Sequence, residues 1–234
     1  MYILAVETSA VAASAALLKD SALVSESFVN IGLTHSQTLM TLVDTCLSNA
    51  GVTVKDVDIF ACANGPGSFT GIRIGVSAVK GLAFTDDKPV YGISTLEAMA
   101  YSAAVEGYVI CPVMDARCHQ VYTAQFEAEN GKIKRLTADE PLKLEELEER
   151  LKAIGKKVLF LGDGTGVALK YFENTDVDFT VFPEIYKYQH AGAVAFAAFV
   201  RYNNGEAPLS GAGLLPSYLR LSQAERERNN KKGE

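Results

Sequence analysis

Basic side chains are in short supply in this sequence: 22 Lys and Arg stand against 28 Asp and Glu, a formal net charge of −6 over 234 residues. A chain that grips nucleic acid by itself gathers cations against the phosphates, so that class is disfavoured. An acidic subunit in a complex whose other members carry the basic surface is still allowed. Long apolar runs are also missing. No stretch approaches the ~20 residues that a membrane-spanning helix needs, and the opening MYILAVETSA lacks the basic segment of a secretory signal. Cysteine is sparse: Cys46, Cys62, Cys111 and Cys118 are scattered through apolar segments, as expected of reduced thiols rather than a disulfide framework. A cytoplasmic protein is expected. Histidine is scarcer still. His35, His119 and His190 are the only three, and no two have i, i+3 or i, i+4 spacing. Cys118-His119 is an adjacent pair, but neighbours on a strand point to opposite faces and do not converge on one ligand. Neither an HExxH helix nor a catalytic triad can be assembled, which disfavours a peptidase.

What is present describes an ordinary globular protein, 48% apolar and 21% charged. Three strand-like runs open the chain (Ile3–Thr8, Ala12–Leu18 and Ala22–Val29), with Lys19-Asp20 at a hairpin turn. A helix is predicted from a Thr34/Gln37 capping box to just before Gly51. A buried strand follows at Asp58–Ala63, then a glycine-rich loop, a second helix to about Phe84 and a strand near Val90–Ile93. The order then recurs. Val109–Asp115, Gln120–Ala128 and Lys132–Leu136 read as strands, Leu144–Ala153 as a helix, Val158–Leu161 as a strand and Gly164–Phe172 as a helix. Phe179–Phe182 reads as a strand and His190–Tyr202 as an apolar helix. Two copies of one β-β-β-α-β-α pattern predict a duplicated α/β protein with mixed sheets. The first lobe is placed at residues 1–103 and the second at 104–234, joined by the alanine-rich helix around Glu97–Ala104. The last helix is expected to pack back on the first lobe, and the tail from Ala224 to be frayed and solvated.

The segment Asn64-Gly65-Pro66-Gly67-Ser68-Phe69-Thr70-Gly71-Ile72-Arg73-Ile74-Gly75 lies between a strand and a helix. It has two readings. One is a tight structural turn with glycines for close packing. The other is an anion site at a helix start, with Gly65, Gly67, Ser68, Thr70 and Arg73 as a nucleotide or phosphate loop. Neither the Walker pattern nor G-x-G-x-x-G fits, because Thr70 stands where each requires glycine.

The segment GPGSFTGIRIG, with ILAVETS before it and ISTLEA, MDARCHQVY and LPSYLR after it, closely resembles the bacterial TsaB (YeaZ) family over nearly the whole chain. That resemblance implies the actin-like fold shared with Hsp70 and sugar kinases: two duplicated RNase H-like lobes. It also implies a non-catalytic subunit for threonylcarbamoylation of the adenosine 3′ of the anticodon in tRNAs reading ANN codons. The implied partners are a TsaD-type catalytic subunit and a TsaE-type ATPase. tRNA would be contacted only through the complex, and isolated copies would form a homodimer. The catalytic relative holds its metal with H-x-x-x-H; Thr95 and Met99 occupy those positions here, and a hydroxyl and a thioether are poor ligands. No metal and no resident cofactor are therefore expected, with ATP or ADP at a partner interface left open. Glu7 and Asp115, at matching strand ends, support the alternative of a magnesium-dependent phosphotransferase. Against it, the second lobe's loop is only Leu161-Gly162-Asp163-Gly164-Thr165-Gly166.

The first-lobe helices point toward a partner. At 100° per residue, Leu42, Cys46, Leu39, Ala50, Val43, Leu47 and Met40 spread over an arc of about 160°, wider than the stripe of a surface helix. In the second helix Arg73, Ser77 and Lys80 make one narrow polar stripe, opposite small residues at Gly71, Gly75 and Ala78. One reading has both helices simply covering a large sheet. The other adds a four-helix interface through Leu39, Met40, Val43, Leu47, Gly71, Ile72, Gly75, Ala78, Val79 and Leu82.

Overall fold

The computed structural model describes residues 1–32, 34–117 and 120–220; Cys118-His119 and the tail from Ala224 lie outside the described residues. In the first lobe, strands β1 (Tyr2–Glu7), β2 (Ala13–Lys19) and β3 (Ala22–Val29) form an antiparallel meander. Helix α1 (His35–Ala50) leads to β4 (Ile59–Gly65), helix α2 (Phe69–Phe84) and β5 (Val90–Ser94). The sheet order is β3-β2-β1-β4-β5, with β1 antiparallel to β2 and parallel to β4. α1 ends at Gly51, whose left-handed backbone lets its N–H reach back to the last carbonyls. The expected capping box at its start is absent: Thr34 makes no side-chain cap bond, and Gln37 N–H bonds the Thr34 carbonyl instead.

A short helix α3 (Thr95–Ser102) joins the lobes. The second lobe contains β6 (Val109–Arg117), β7 (Gln120–Thr123), β8 (Phe126–Glu129), β9 (Lys132–Arg135) and β10 (Glu140–Lys143). These are followed by α4 (Leu144–Ile154), β11 (Val158–Leu161), α5 (Thr165–Phe172) and β12 (Phe179–Val181). Its order, β10-β7-β6-β11-β12, repeats that of the first sheet. Two strand assignments need correction. The run 120–128 is two strands, because Gln125 turns fully inward and bonds Thr123 Oγ1 at 3.2 Å. β7 continues beside β10, whereas β8 pairs with the start of β6 and with β9. The strand expected around Lys132–Leu136 is thus half of an added hairpin. The true third strand is β10, a short edge carrying Pro141, which an edge tolerates.

Alternation along β1 and β4 splits the first lobe's core. Leu4, Val6, Phe60 and Cys62 face α1 and α2. Ile3, Ala5, Ile59 and Ala61 face Val194, Ala195, Ala197 and Ala198 of the last helix, α6 (Ala191–Asn203). The N-terminal N–H groups of α6 are anchored on first-lobe side chains: Ala191 N–H donates to Ser14 Oγ and Gly192 N–H to Glu26 Oε1, both at 2.9 Å. Burial pushes the Glu26 carboxyl up, but the bonds from His190 and the helix start outweigh it and hold the group below the usual carboxylate range. Between the lobes, Glu97 on α3 pairs with Arg201 of α6 at 2.7 Å and with Arg135 of β9 at 3.2 Å.

After α6 the described residues run mainly along the first lobe, which corrects the placement of residues 205–220. Leu209 bridges to Val90 at the sheet edge, and Leu214 is fully buried in the core under α1 and α2. Ser217 N–H then bonds the Asn64 carbonyl at 2.7 Å, and Arg220 reaches across to the Ala116 carbonyl of the second lobe. This terminal strap belongs mainly to the first lobe.

Candidate functional site

The two sheets place matching loops at the ends of their central strands. In the first lobe the chain leaves β4 and folds onto the end of β1: Ser68 N–H bonds the Ser9 carbonyl at 2.6 Å. In the second it leaves β11 and folds onto β6, with Gly164 N–H on the Val113 carbonyl at 3.0 Å. Between them lies a cleft of 560 Å³. Ser9–Val11, Pro66–Thr70, Met114–Arg117, Tyr122, Asp163 and the strap residues Ser217–Arg220 line it.

Beneath this cleft Glu7 is fully buried. Its Oε1 accepts the Ser9 N–H at 2.5 Å, while Oε2 and the buried Ser9 hydroxyl have no partner. Desolvation pushes the Glu7 carboxyl up to about 7, against the hydrogen bond from the Ser9 backbone. Asp163 is raised too, by burial above all, with Asp115 adding repulsion and a bond from Gln189 at 3.1 Å opposing it. Near neutral pH, Glu7 is therefore divided between its protonated and ionised forms.

The glycine loop is occupied by the protein itself. A Cβ on Gly65, whose φ is +129°, would overlap the Ser217 carbonyl, and one on Gly67 would overlap the Ser9 carbonyl. Ser68 caps α2 by accepting the Gly71 N–H at 3.3 Å. Arg73 is held in an aromatic stack, and Thr70 stands exposed on the rim. As a phosphate cradle the set Gly65, Gly67, Ser68, Thr70 and Arg73 is not assembled: its glycines make room for the strap and for the β1–β2 turn. The second lobe's loop follows the same rule, since a Cβ on Gly162 would overlap the Val113 carbonyl.

The interface set divides as well. Leu39, Val43, Leu47, Ile72 and Val79 are buried in the first lobe's own core. Gly71 and Gly75 lie against Thr8, whose hydroxyl donates to the Gly71 carbonyl at 2.8 Å. The Gly71 and Gly75 part of the small-residue strip thus faces inward, correcting its assignment to an outer contact. Met40 is half exposed, and Ala78 and Leu82 are half-buried at the surface. A groove of 460 Å³ runs between α1 and α2, lined by Ser36, Leu39, Met40, Thr70, Arg73, Ile74, Ser77 and Ala78. Ser77 escaped the interface assignment because it belongs to the polar stripe of α2, and Ile74 because it stands beside that stripe.

Thr95 and Met99 are both buried where the lobes meet. His35 bonds the Ala10 carbonyl at 2.7 Å and His190 stacks on Phe28. Among the described residues no group of three His, Cys, Asp or Glu side chains is placed to hold a metal ion.

Two lobes of one repeated sheet order, facing each other across a shared cleft, define an actin-like protein. The family model for TsaD, tRNA N6-adenosine threonylcarbamoyltransferase, matches residues 31–228. The chain is 34% identical over 225 residues to the tRNA threonylcarbamoyladenosine biosynthesis protein TsaB of Bacillus subtilis, covering 96% of each. It is 34% identical over 167 residues to the Escherichia coli TsaB, covering 70% of this chain and 72% of that one. YeaZ from Pseudomonas aeruginosa superposes with a TM-score of 0.78 at 28% identity, covering 93% and 99% of the two chains. The Acidaminococcus fermentans (R)-2-hydroxyglutaryl-CoA dehydratase component A, at TM-score 0.50 and 14% identity over 87% and 99%, shares the fold alone. The chain belongs to the TsaB family.

Proposed function

We propose that this protein is a non-catalytic subunit in the biosynthesis of threonylcarbamoyladenosine in tRNA, assembling with a TsaD-type catalytic subunit through the groove between α1 and α2. The observation that carries the reading is the match to a TsaB over 96% of both chains. The groove supports its structural half, because Met40 and Ile74 offer apolar surface beside a helix pair that nothing covers among the described residues. In isolation the same groove accommodates a second copy, giving a homodimer. A TsaE-type ATPase joins the complex, and an acidic chain leaves tRNA contact to the other subunits. It acts in the cytoplasm.

The cleft supports a non-catalytic role. A magnesium–phosphate site needs ionised carboxylates, and burial disfavours ionised Glu7. The loop glycines face the protein's own backbone, so a nucleotide in the complex is held chiefly by the partner. A subunit without chemistry of its own is still essential if it binds the active arrangement of the catalytic subunit more tightly than the inactive one.

The test is mass spectrometry of bulk tRNA from cells in which variants replace the chromosomal copy. Ile74→Arg, which puts a charge into the groove, should cut the modified nucleoside to the level of a deletion. Asp115→Ala should leave it within about twofold of wild type, an effect below ~0.5 kcal/mol. Loss of the nucleoside in Asp115→Ala with the complex intact would give this chain an active site and sink the proposal.

A further inference from the structure

Among the described residues lining the α1/α2 groove, Arg73 alone carries a charge. Its guanidinium carbon lies 3.9 Å from the centroid of the Phe69 ring. Its Nε donates to Tyr218 Oη at 2.7 Å, and Tyr218 stacks on Phe69 with centroids 4.3 Å apart. The stack fixes one face and one edge of a long side chain that would otherwise be free to sweep. Among the described residues, no acceptor meets its two Nη groups and no carboxylate pairs with it.

This arrangement differs from a solvated surface arginine in two ways. The rotamer entropy that pairing would cost is largely spent already, by the strap rather than by a ligand. And with Nε engaged by Tyr218, the remaining donors are the two Nη groups, which match the two oxygens of a carboxylate end-on. The surroundings define the bearer of that carboxylate. Met40, Ile74 and Ala78 present an apolar trough between two helices, which fits side chains of a third helix rather than a free anion.

We propose that Arg73 is a preorganised receptor for a carboxylate of the partner: the docking helix is apolar toward the groove and carries one Asp or Glu that meets the Nη pair end-on. The proposal rests on the groove being the docking site. Tyr218 is a positioning residue, so the strap takes part in partner recognition without touching the partner.

The experiment measures binding of the full-length chain to its TsaD-type partner by calorimetry, at low and high NaCl. Arg73→Gln should weaken binding at least about tenfold and remove most of the salt dependence. Arg73→Lys keeps the charge but not the fork and should fall between the two. Tyr218→Phe keeps the stack, frees Nε and should weaken binding a few-fold with the salt dependence retained. A Glu or Asp→Lys change in the partner's docking helix, rescued by Arg73→Glu, would identify the carboxylate. If Arg73→Gln binds like wild type with the same salt dependence while Ile74→Arg fails to bind, the groove stands and the carboxylate receptor is refuted. If Ile74→Arg also binds normally, the groove itself is the wrong surface. Should Arg73→Gln melt early, Arg73→Lys carries the test, and wild-type affinity there would refute the fork.

Discussion

Replacing Glu7 with glutamine should stabilise the protein at pH 8 by roughly 3 kcal/mol, at about 1.4 kcal/mol per pKa unit. The carboxyl rises from its ordinary 4.5 to about 7 on folding because it is buried completely. Between those two values the folded state holds the proton more firmly than the unfolded one, so stability falls as pH rises. Below about 4.5 both states are protonated and the contribution is fully present; above about 7 it is gone. Glutamine resembles the protonated form in shape and charge, keeps an acceptor for the Ser9 N–H and does not titrate. Urea unfolding at half-unit steps from pH 5 to pH 8 should show the wild type losing stability relative to Glu7→Gln across that window. Parallel curves for the two proteins would mean that Glu7 is not buried as an acid. Asp163, also raised by burial, contributes with the same sign and remains in both proteins.

The second large effect sets two glycines of one helix against each other. Gly71→Ala places a methyl on the Thr8 carbonyl, which is backbone and cannot turn aside, so the usual gain of alanine in a helix is overwhelmed. A loss of roughly 3 kcal/mol is expected. Gly81, in the same helix, has open space where its Cβ would go, and Gly81→Ala should gain about 0.5–1 kcal/mol. Thermal melts of the two variants should therefore move in opposite directions. Equal melting temperatures would mean that α2 does not rest on the end of β1.

The same glycines show where the sequence is legible and where it is not. A local signal located the end of α1, because Gly51 carries its end chemistry within a turn of the helix, whereas the cap of α2 at Ser68 reads in the sequence as part of a loop. Periodicity also found the repeated strand–helix order, which is most of the fold. It did not find β10, four residues with a proline and two charges, nor the break at Gln125, whose inward turn depends on Thr123 and Thr137. The candidate site was less legible. A 100° repeat shows that Gly71, Gly75 and Ala78 share a face, but small residues suit any close backbone, that of another subunit or of the lobe's own sheet. Nothing local indicates that Gly65 is reserved for Ser217, because the contact spans the chain. Glu7 and Asp115 were placed at the cleft from their positions at strand ends. Asp163 passed as part of a turn.

The way α6 and the strap return to the first sheet bears on how the chain is made. The last strand of that sheet ends at Ser94, but the helix covering one of its apolar faces begins only at Ala191. At roughly 5–20 residues per second, a ribosome needs on the order of 5–20 s to bridge that interval. Throughout it, Ile3, Ala5, Ile59 and Ala61 lack the alanine-rich face of α6, with Ala98 of α3 beside them, and Leu214 has not yet filled the opposite side. The first lobe should therefore expose an apolar sheet face until α6 has been made, and a gene fragment ending near residue 103 should yield aggregate rather than a lobe.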